Sequence, residues 1–133
     1  MEVTALRNYR DLEVWNKAHA LTVYLYKASK DFPRDEIYGL TAQLRRAAVS
    51  IGANLAEGCG RQTDNEMARF VRISLGSASE LDYHLLLSRD LGLLNNESYE
   101  YSAKELTRIR KMLRSFLSAI ERVQPKTKAA ASS

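Results

Sequence analysis

A chain of 133 residues is sized for one domain, and at that length it can bury a single core without covalent staples. Its one cysteine, Cys59, excludes an internal disulfide and any dependence on an oxidising compartment. A net charge of +4 permits contact with nucleic acid without demanding it, and a hydrophobic fraction of 45% excludes a chain disordered throughout.

The stretch Met1 to Arg10 has no apolar core of signal-peptide length, and no apolar run approaches the ~20 residues of a membrane span. A soluble, cytoplasmic protein without membrane contact is expected. Residues 1–9 read as an N-terminal extension. The first helix is expected from Arg10 to Lys30, because Leu12, Trp15, Ala18, Thr22, Leu25 and Ser29 recur at helical spacing. Phe32-Pro33 ends it, since the residue before a proline avoids the α region. The second helix is expected from Ile37 to Glu57, on a stripe of Leu40, Leu44, Ala48, Ile51 and Leu55. Gly58 and Gly60 read as its stop, in the left-handed geometry of a C-terminal cap.

Thr63-Asp64-Asn65-Glu66 is a capping box and opens the third helix. Met67, Phe70, Val71, Ser74, Ala78, Leu81, Leu85 and Ser88 follow on one face, and the helix ends near Asp90, ahead of Gly92. Gly76 sits in the middle, within Gly76-Ser77-Ala78-Ser79. Glycine costs ~1 kcal/mol there relative to alanine, so a close helix approach is expected as compensation. Asn95 or Asn96 caps the fourth helix, which carries Tyr99, Ala103, Leu106, Ile109, Leu113, Phe116, Leu117 and Ile120 to about Val123. Gln124-Pro125 is expected to end it, leaving residues 124–133 as a disordered polar tail. No segment alternates as a strand would. Long helices joined by short loops make antiparallel neighbours, so residues 10–123 are expected to form an all-α, antiparallel, up-down-up-down four-helix bundle.

Enzyme signatures are thin. His19 and His84 lie on different helices, and neither sits in the Glu-x-x-His spacing of a bundle metal site. Gly58-Cys59-Gly60-Arg61 has no strand before it and reads as a helix-to-helix turn, not a phosphate loop. Cys59 beside Arg61 has no histidine or second cysteine to activate it. The expectation is a binding or assembly module with no catalytic residues, no metal and no cofactor.

Helix 2 holds the most informative pattern. Gln43, Arg46, Ser50, Asn54 and Glu57 fall on one polar stripe beside the apolar one. It is either a solvated face or a polar seam against another helix or subunit. In a seam its groups need partners, because each unsatisfied buried polar group costs ~1–3 kcal/mol. Glu80 is the expected partner of Arg46. A second pattern is basic. Lys104, Arg108 and Lys111 share one face of helix 4, with Arg110 and Arg114 flanking the core stripe, while its acids lie mainly in the first half. Part of this asymmetry answers the helix dipole. The functional reading is contact with phosphates. Arg45, Arg46, Arg61, Arg69 and Arg72 make a second arginine-rich region about the turn between helices 2 and 3. Tyr24, Tyr26, Tyr38, Tyr83, Tyr99 and Tyr101 suit either a subunit interface or the rim of the core.

Three ordered motifs carry a resemblance over about residues 8 to 122. They are Tyr9-Arg10-Asp11-Leu12-Glu13-Val14-Trp15, the stretch from Phe32-Pro33 through Glu36-Ile37-Tyr38-Gly39-Leu40 to Ala53-Asn54-Leu55-Ala56-Glu57-Gly58, and Arg69-Phe70-Val71-Arg72-Ile73-Ser74-Leu75-Gly76-Ser77-Ala78-Ser79-Glu80-Leu81. Together they resemble the bacterial 23S rRNA intervening-sequence proteins, also called four helix bundle proteins. The resemblance implies a homopentameric ring. It also implies similarity to the accessory variability determinant of diversity-generating retroelements, a basic pentamer that binds nucleic acid and a reverse transcriptase. It marks Tyr38, Gly39, Gln43, Arg46, Ser50, Asn54, Glu57 and Gly58 as the characteristic segment and supplies no catalytic residue. The expected partners are copies of the chain, RNA or DNA, and a partner protein.

Overall fold

The computed structural model describes the backbone of residues 8–132 and the side chains of residues 8–122. It contains α1 (Glu13–Ala28), α2 (Leu40–Cys59), α3 (Asp64–Asp90) and α4 (Asn96–Ser132), with short 3-10 turns at Tyr9–Asp11 and Arg34–Glu36. Among the described residues there are no strands. Residues 1–7 of the predicted extension lie outside the described residues, as do the side chains of the predicted tail, 124–133.

Local chemistry sets the boundaries. The Asn8 side chain accepts from the Arg10 amide at 3.0 Å and folds Tyr9–Asp11 into a turn of its own. Leu12 is then extended, so α1 starts at Glu13 instead of Arg10. Before α2, Glu36 Oε1 accepts from the Leu40 amide at 3.4 Å and delays the helix by three residues from the predicted start. A Cβ on Gly39 would stand 2.7 Å from that carboxylate oxygen, so glycine makes the cap sterically feasible. Thr63 Oγ1 accepts from the Glu66 amide at 3.2 Å, and Asn95 Oδ1 accepts from the Ser98 amide at 2.8 Å, which fixes the N-termini of α3 and α4.

Two stop signals act differently from expectation. Gly58 lies inside α2, and Gly60 caps it at φ −82°, not in the left-handed region. The one positive-φ residue among those described is Gly92, at φ 76°, where the Leu93 and Leu94 amides turn back onto the Ser88 carbonyl. Pro125 does not end α4, whose backbone runs on to Ser132. Proline's fixed φ is itself helical, and its cost is a lost hydrogen bond and crowding at the i−4 carbonyl, so it weakens a helix without forbidding it.

The neighbours run antiparallel. Ser50 of α2 meets Ser77 of α3, while Ser74 meets Ile51, one position rising as the other falls. Thr22 bonds the Ala48 carbonyl and Arg45 the Ser29 hydroxyl across α1–α2. Arg72–Glu121 and Arg110–Ser79 join α3 to α4. Tyr24–Ser98 closes α4 onto α1. The result is the up-down-up-down bundle. Its interior holds Leu25, Leu44, Ile51, Leu55, Leu81, Leu85, Leu106, Ile109, Leu113 and Ile120, each at most 1% exposed. Four amphipathic stripes therefore converge, and burial of each such side chain contributes ~1.5–3 kcal/mol.

The α2–α3 pair makes the most extensive contact. Gly58, Ser74 and Ser77 are small and buried there. A Cβ on Gly58 would lie 3.0 Å from Phe70 Cβ and 3.4 Å from the Met67 carbonyl oxygen, so the two backbones approach at Gly58. Gly76, where the sequence suggested the approach, is exposed with nothing within 4 Å of a built Cβ. Its position on the wheel points it away from α2. Replacing Gly58 by Val is therefore expected to lower unfolding free energy by about 1–3 kcal/mol through overpacking against backbone that cannot give way. Thr63→Ala is expected to lose about 1 kcal/mol with its cap. Urea unfolding followed by circular dichroism measures both.

Candidate functional site

The polar stripe of α2 is part seam and part surface. Gln43, Ser50 and Asn54 are half-buried, whereas Arg46 and Glu57 are exposed. Ser50 Oγ and Ser77 Oγ are 2.8 Å apart. Asn54 Nδ2 donates to the Ser50 carbonyl at 2.8 Å and to Ser50 Oγ at 2.9 Å. One turn away Ser74 Oγ donates to the Ile51 carbonyl at 2.9 Å. The hydroxyls thus satisfy one another across a contact too close for larger side chains. Ser74 and Ser77 are the partners that reading α2 alone misses; the small-residue run of α3 was their signal.

The expected Arg46–Glu80 pair does not form. Glu80 Oε1 lies 3.2 Å from His84 Nε2, one turn along its own helix. Both Arg46 and Glu80 are exposed, and an exposed cross-helix pair gains little after ordering two long side chains, so the local contact wins. Glu57, at the other end of the stripe, pairs with Arg61 at 2.9 Å.

The arginines about the second turn do not form one region. Arg45 and Arg61 are 16 positions apart, about 24 Å along a helix. Arg45 is a structural clasp. Its Nε donates to Ser29 Oγ at 2.9 Å, its Nη2 to the Tyr26 carbonyl at 3.2 Å, and its guanidinium lies 4.7 Å from the Tyr26 ring centroid. Arg61 and Arg69 lie over the Phe70 ring at 5.0 and 4.9 Å. Arg72 Nη2 meets Glu121 Oε1 at 2.7 Å, tying α3 to α4. These cations are engaged within the fold.

The basic face of α4 is different. Lys104, Arg108 and Lys111 are exposed on one line, directly opposite the buried Leu106, Ile109 and Leu113. Arg122, eighteen residues after Lys104, falls on the same line, and exposed Arg114 lies beside it. The sequence reading named Lys104, Arg108, Lys111 and Arg114 as candidates and counted Arg122 among the cations of the helix without placing it on this face, which its i+11 spacing from Lys111 does. Arg108 Nη1 has Glu105 at 3.3 Å. Arg110 leaves the face and reaches α3, with Ser79 at 3.3 Å and Asp82 at 3.9 Å.

The tyrosines divide between core rim and surface. Tyr24 donates to Ser98 at 3.1 Å and packs against Tyr101, and Tyr99 lies under Arg89. Tyr26, Tyr38, Tyr83 and Tyr101 are exposed. Among the described residues no three His, Cys, Asp or Glu side chains converge on a metal position. His19 stacks on Trp15 with ring centroids 5.0 Å apart, and Cys59 is buried. None of the described helices is long and apolar enough to cross a membrane.

Comparison with known proteins agrees with this architecture. The model of the 23S rRNA-intervening sequence protein family matches residues 10–115. No curated protein matches the chain. Among solved structures, a protein of unknown function from the S23 ribosomal protein family of Bacteroides thetaiotaomicron is similar, with 26% identity and a TM-score of 0.73 over 79% of this chain and 95% of that one. The family match spans α1, α2, α3 and most of the core-facing stripe of α4, so the chain belongs to the 23S rRNA-intervening sequence protein family.

Proposed function

We propose that this chain is a non-enzymatic, homo-oligomeric binding protein, a pentameric ring in its assembled form, that contacts nucleic acid, RNA first, through the outward face of α4. The observation that carries the reading is the line Lys104, Arg108, Lys111 and Arg122, about 27 Å long, facing away from the core. Among the described residues only Arg108 has an acidic partner. Exposed cations free of such partners release counterions from a phosphate backbone, and repetition around an oligomer multiplies the effect. Filter binding of single-stranded RNA at two salt concentrations tests it. Lys104→Gln/Lys111→Gln is expected to flatten the log–log salt dependence by about 1.4, at ~0.7 for each phosphate no longer neutralised. Folded wild-type protein that retains no RNA at low salt removes the reading.

A second reading is a scaffold that recruits a protein partner, such as a reverse transcriptase, with no direct nucleic-acid role. It is favoured by the α1–α2 connection, where Tyr38 is 94% exposed and Ile37 is exposed, and by Leu91, exposed in the α3–α4 connection at the same end of the antiparallel bundle. A large aromatic held in water is a typical anchor for a partner pocket. Tyr38→Ser is expected to lose a partner that wild type recovers in a pull-down from the native host. Identical recoveries count against the scaffold.

A further inference from the structure

Aromatic rings form a column along the groove between α1 and α2, and the column has a gap. Tyr9 meets Trp15 edge-on with centroids 4.8 Å apart, and Trp15 lies parallel to His19, at 6° and 5.0 Å. His19 follows Trp15 by four residues, so both rings share one face of α1. The next ring on that face is Tyr26, seven residues and about 10 Å further along, with the Arg45 guanidinium over it. The interval holds Thr22 from α1 and Val49 from α2, neither of them a ring. Trp15 covers one face of the exposed His19, and no other ring among the described residues stacks on it.

Two cavities meet at this gap and share Val49, which is 43% exposed. One, of about 330 Å³, runs past His19 and Trp15 over a floor of Gly52 and Ala53. Glycine keeps that floor low, since a Cβ on Gly52 would stand 3.3 Å from Trp15 Nε1. The other, of about 470 Å³, leads to Tyr26, Arg45 and Arg46. No Asp or Glu lines either cavity. Asp11 and Glu36 stand in the flanking turns, and Glu36 is committed to the Leu40 amide. Among the described residues Arg46 has no acidic partner, and neither Trp15 Nε1 nor the His19 ring nitrogens have a hydrogen-bond partner.

From this arrangement we infer that the gap is a binding site for a free mononucleotide, whose base continues the column on the open face of His19 above Val49 and whose phosphate meets Arg46. A flat ring gains by stacking on the imidazole. A heterocycle also brings ring nitrogens and exocyclic groups to Trp15 Nε1 and His19, which a phenyl ring leaves unmet. Arg46 is one turn from Val49 on α2, about 4.5 Å along the axis, so the length of a ribose brings a phosphate to its guanidinium. That planar fork suits phosphate, and Arg45 adds a second positive charge to the same cavity. One gap and one uncommitted guanidinium fit a single nucleotide. A strand needs successive stacking platforms and a line of cations, and such a line lies elsewhere, on α4. The site shares no residue with that line and is independent of the RNA reading.

Calorimetric titration of the full-length protein with adenosine 5′-monophosphate tests the site, with adenosine, inorganic phosphate and a short oligoadenylate as comparisons. Trp15 is the chain's one tryptophan, so its fluorescence reports on the column. Saturable binding with a change in that fluorescence is expected, roughly tenfold tighter than for adenosine or phosphate alone. Val49→Glu, which places bulk and negative charge where the cavities meet, is expected to abolish binding, and Arg46→Gln to reduce it to the level of adenosine. Both positions are exposed, circular dichroism confirms folding, and Ala53→Glu replaces Val49→Glu if that variant fails to fold. Lys104→Gln/Lys111→Gln is expected to bind the mononucleotide as wild type does, whatever its effect on RNA. No saturable change in heat or fluorescence with folded wild type overturns the inference. Phosphate binding as tightly as the nucleotide overturns it by marking an anion site without a base, and undiminished binding in Val49→Glu places the ligand elsewhere and overturns it too. Affinity that climbs with oligoadenylate length and is lost in Val49→Glu replaces the mononucleotide with a strand.

Discussion

The contact between α2 and α3 at Gly58, Ser50, Ser74 and Ser77 is the constraint on which the rest of this bundle depends. Two helices can approach to the distance seen at Gly58, where even a Cβ would press on Phe70 and the Met67 carbonyl, only if the facing residues are small. Small residues bring backbone carbonyls and hydroxyls within reach of each other, and each must then be satisfied. Ser74 on the Ile51 carbonyl and Ser50 on Ser77 do this at 2.9 and 2.8 Å. An apolar interface of leucines tolerates sliding by a turn; these hydrogen bonds are made in one register and lost in the next.

That register propagates outward. With α2 and α3 fixed, Arg45 can reach back to Ser29 and the Tyr26 carbonyl and hold the end of α1. Arg72 and Arg110 can reach Glu121 and Ser79 and hold α4. Each exposed link is worth little singly, under ~1 kcal/mol for a surface ion pair. Their value is geometric, since they set the rotation of α1 and α4 about the tight pair. The rotation of α4 decides that Leu106, Ile109 and Leu113 face inward and Lys104, Arg108 and Lys111 outward.

The sequence made the fold class readable because each helix carries its inward stripe in its own spacing, and because Thr63 and Asn95 announce helix starts with groups that act within three residues. Interactions of that range can be read from one segment. The boundaries that moved, at Leu40, Gly58 and Pro125, moved where a local rule met a neighbour or a weak penalty. Glu36 caps from an unexpected turn, and Gly58 is needed for Phe70, not for a left-handed φ. The candidate site was legible only in part for the same reason. The face shared by Lys104, Arg108 and Lys111 follows from spacing alone. The partners of Arg45, Arg46 and Glu80 depend on the axial offset between helices, about which a periodic pattern says nothing.

Gly58 and Gly76 show how far one residue type can diverge within one fold. Both sit inside helices, where glycine costs backbone entropy, and both fall in the segments that carry the family likeness. Gly58 is accounted for by the atoms around it. Gly76 faces outward, with open space where a side chain would be, so the interior of a single chain gives no reason to prefer it to alanine. Small residues admit the neighbouring helix at Gly58, and the same residue type at Gly76 admits none from within the chain.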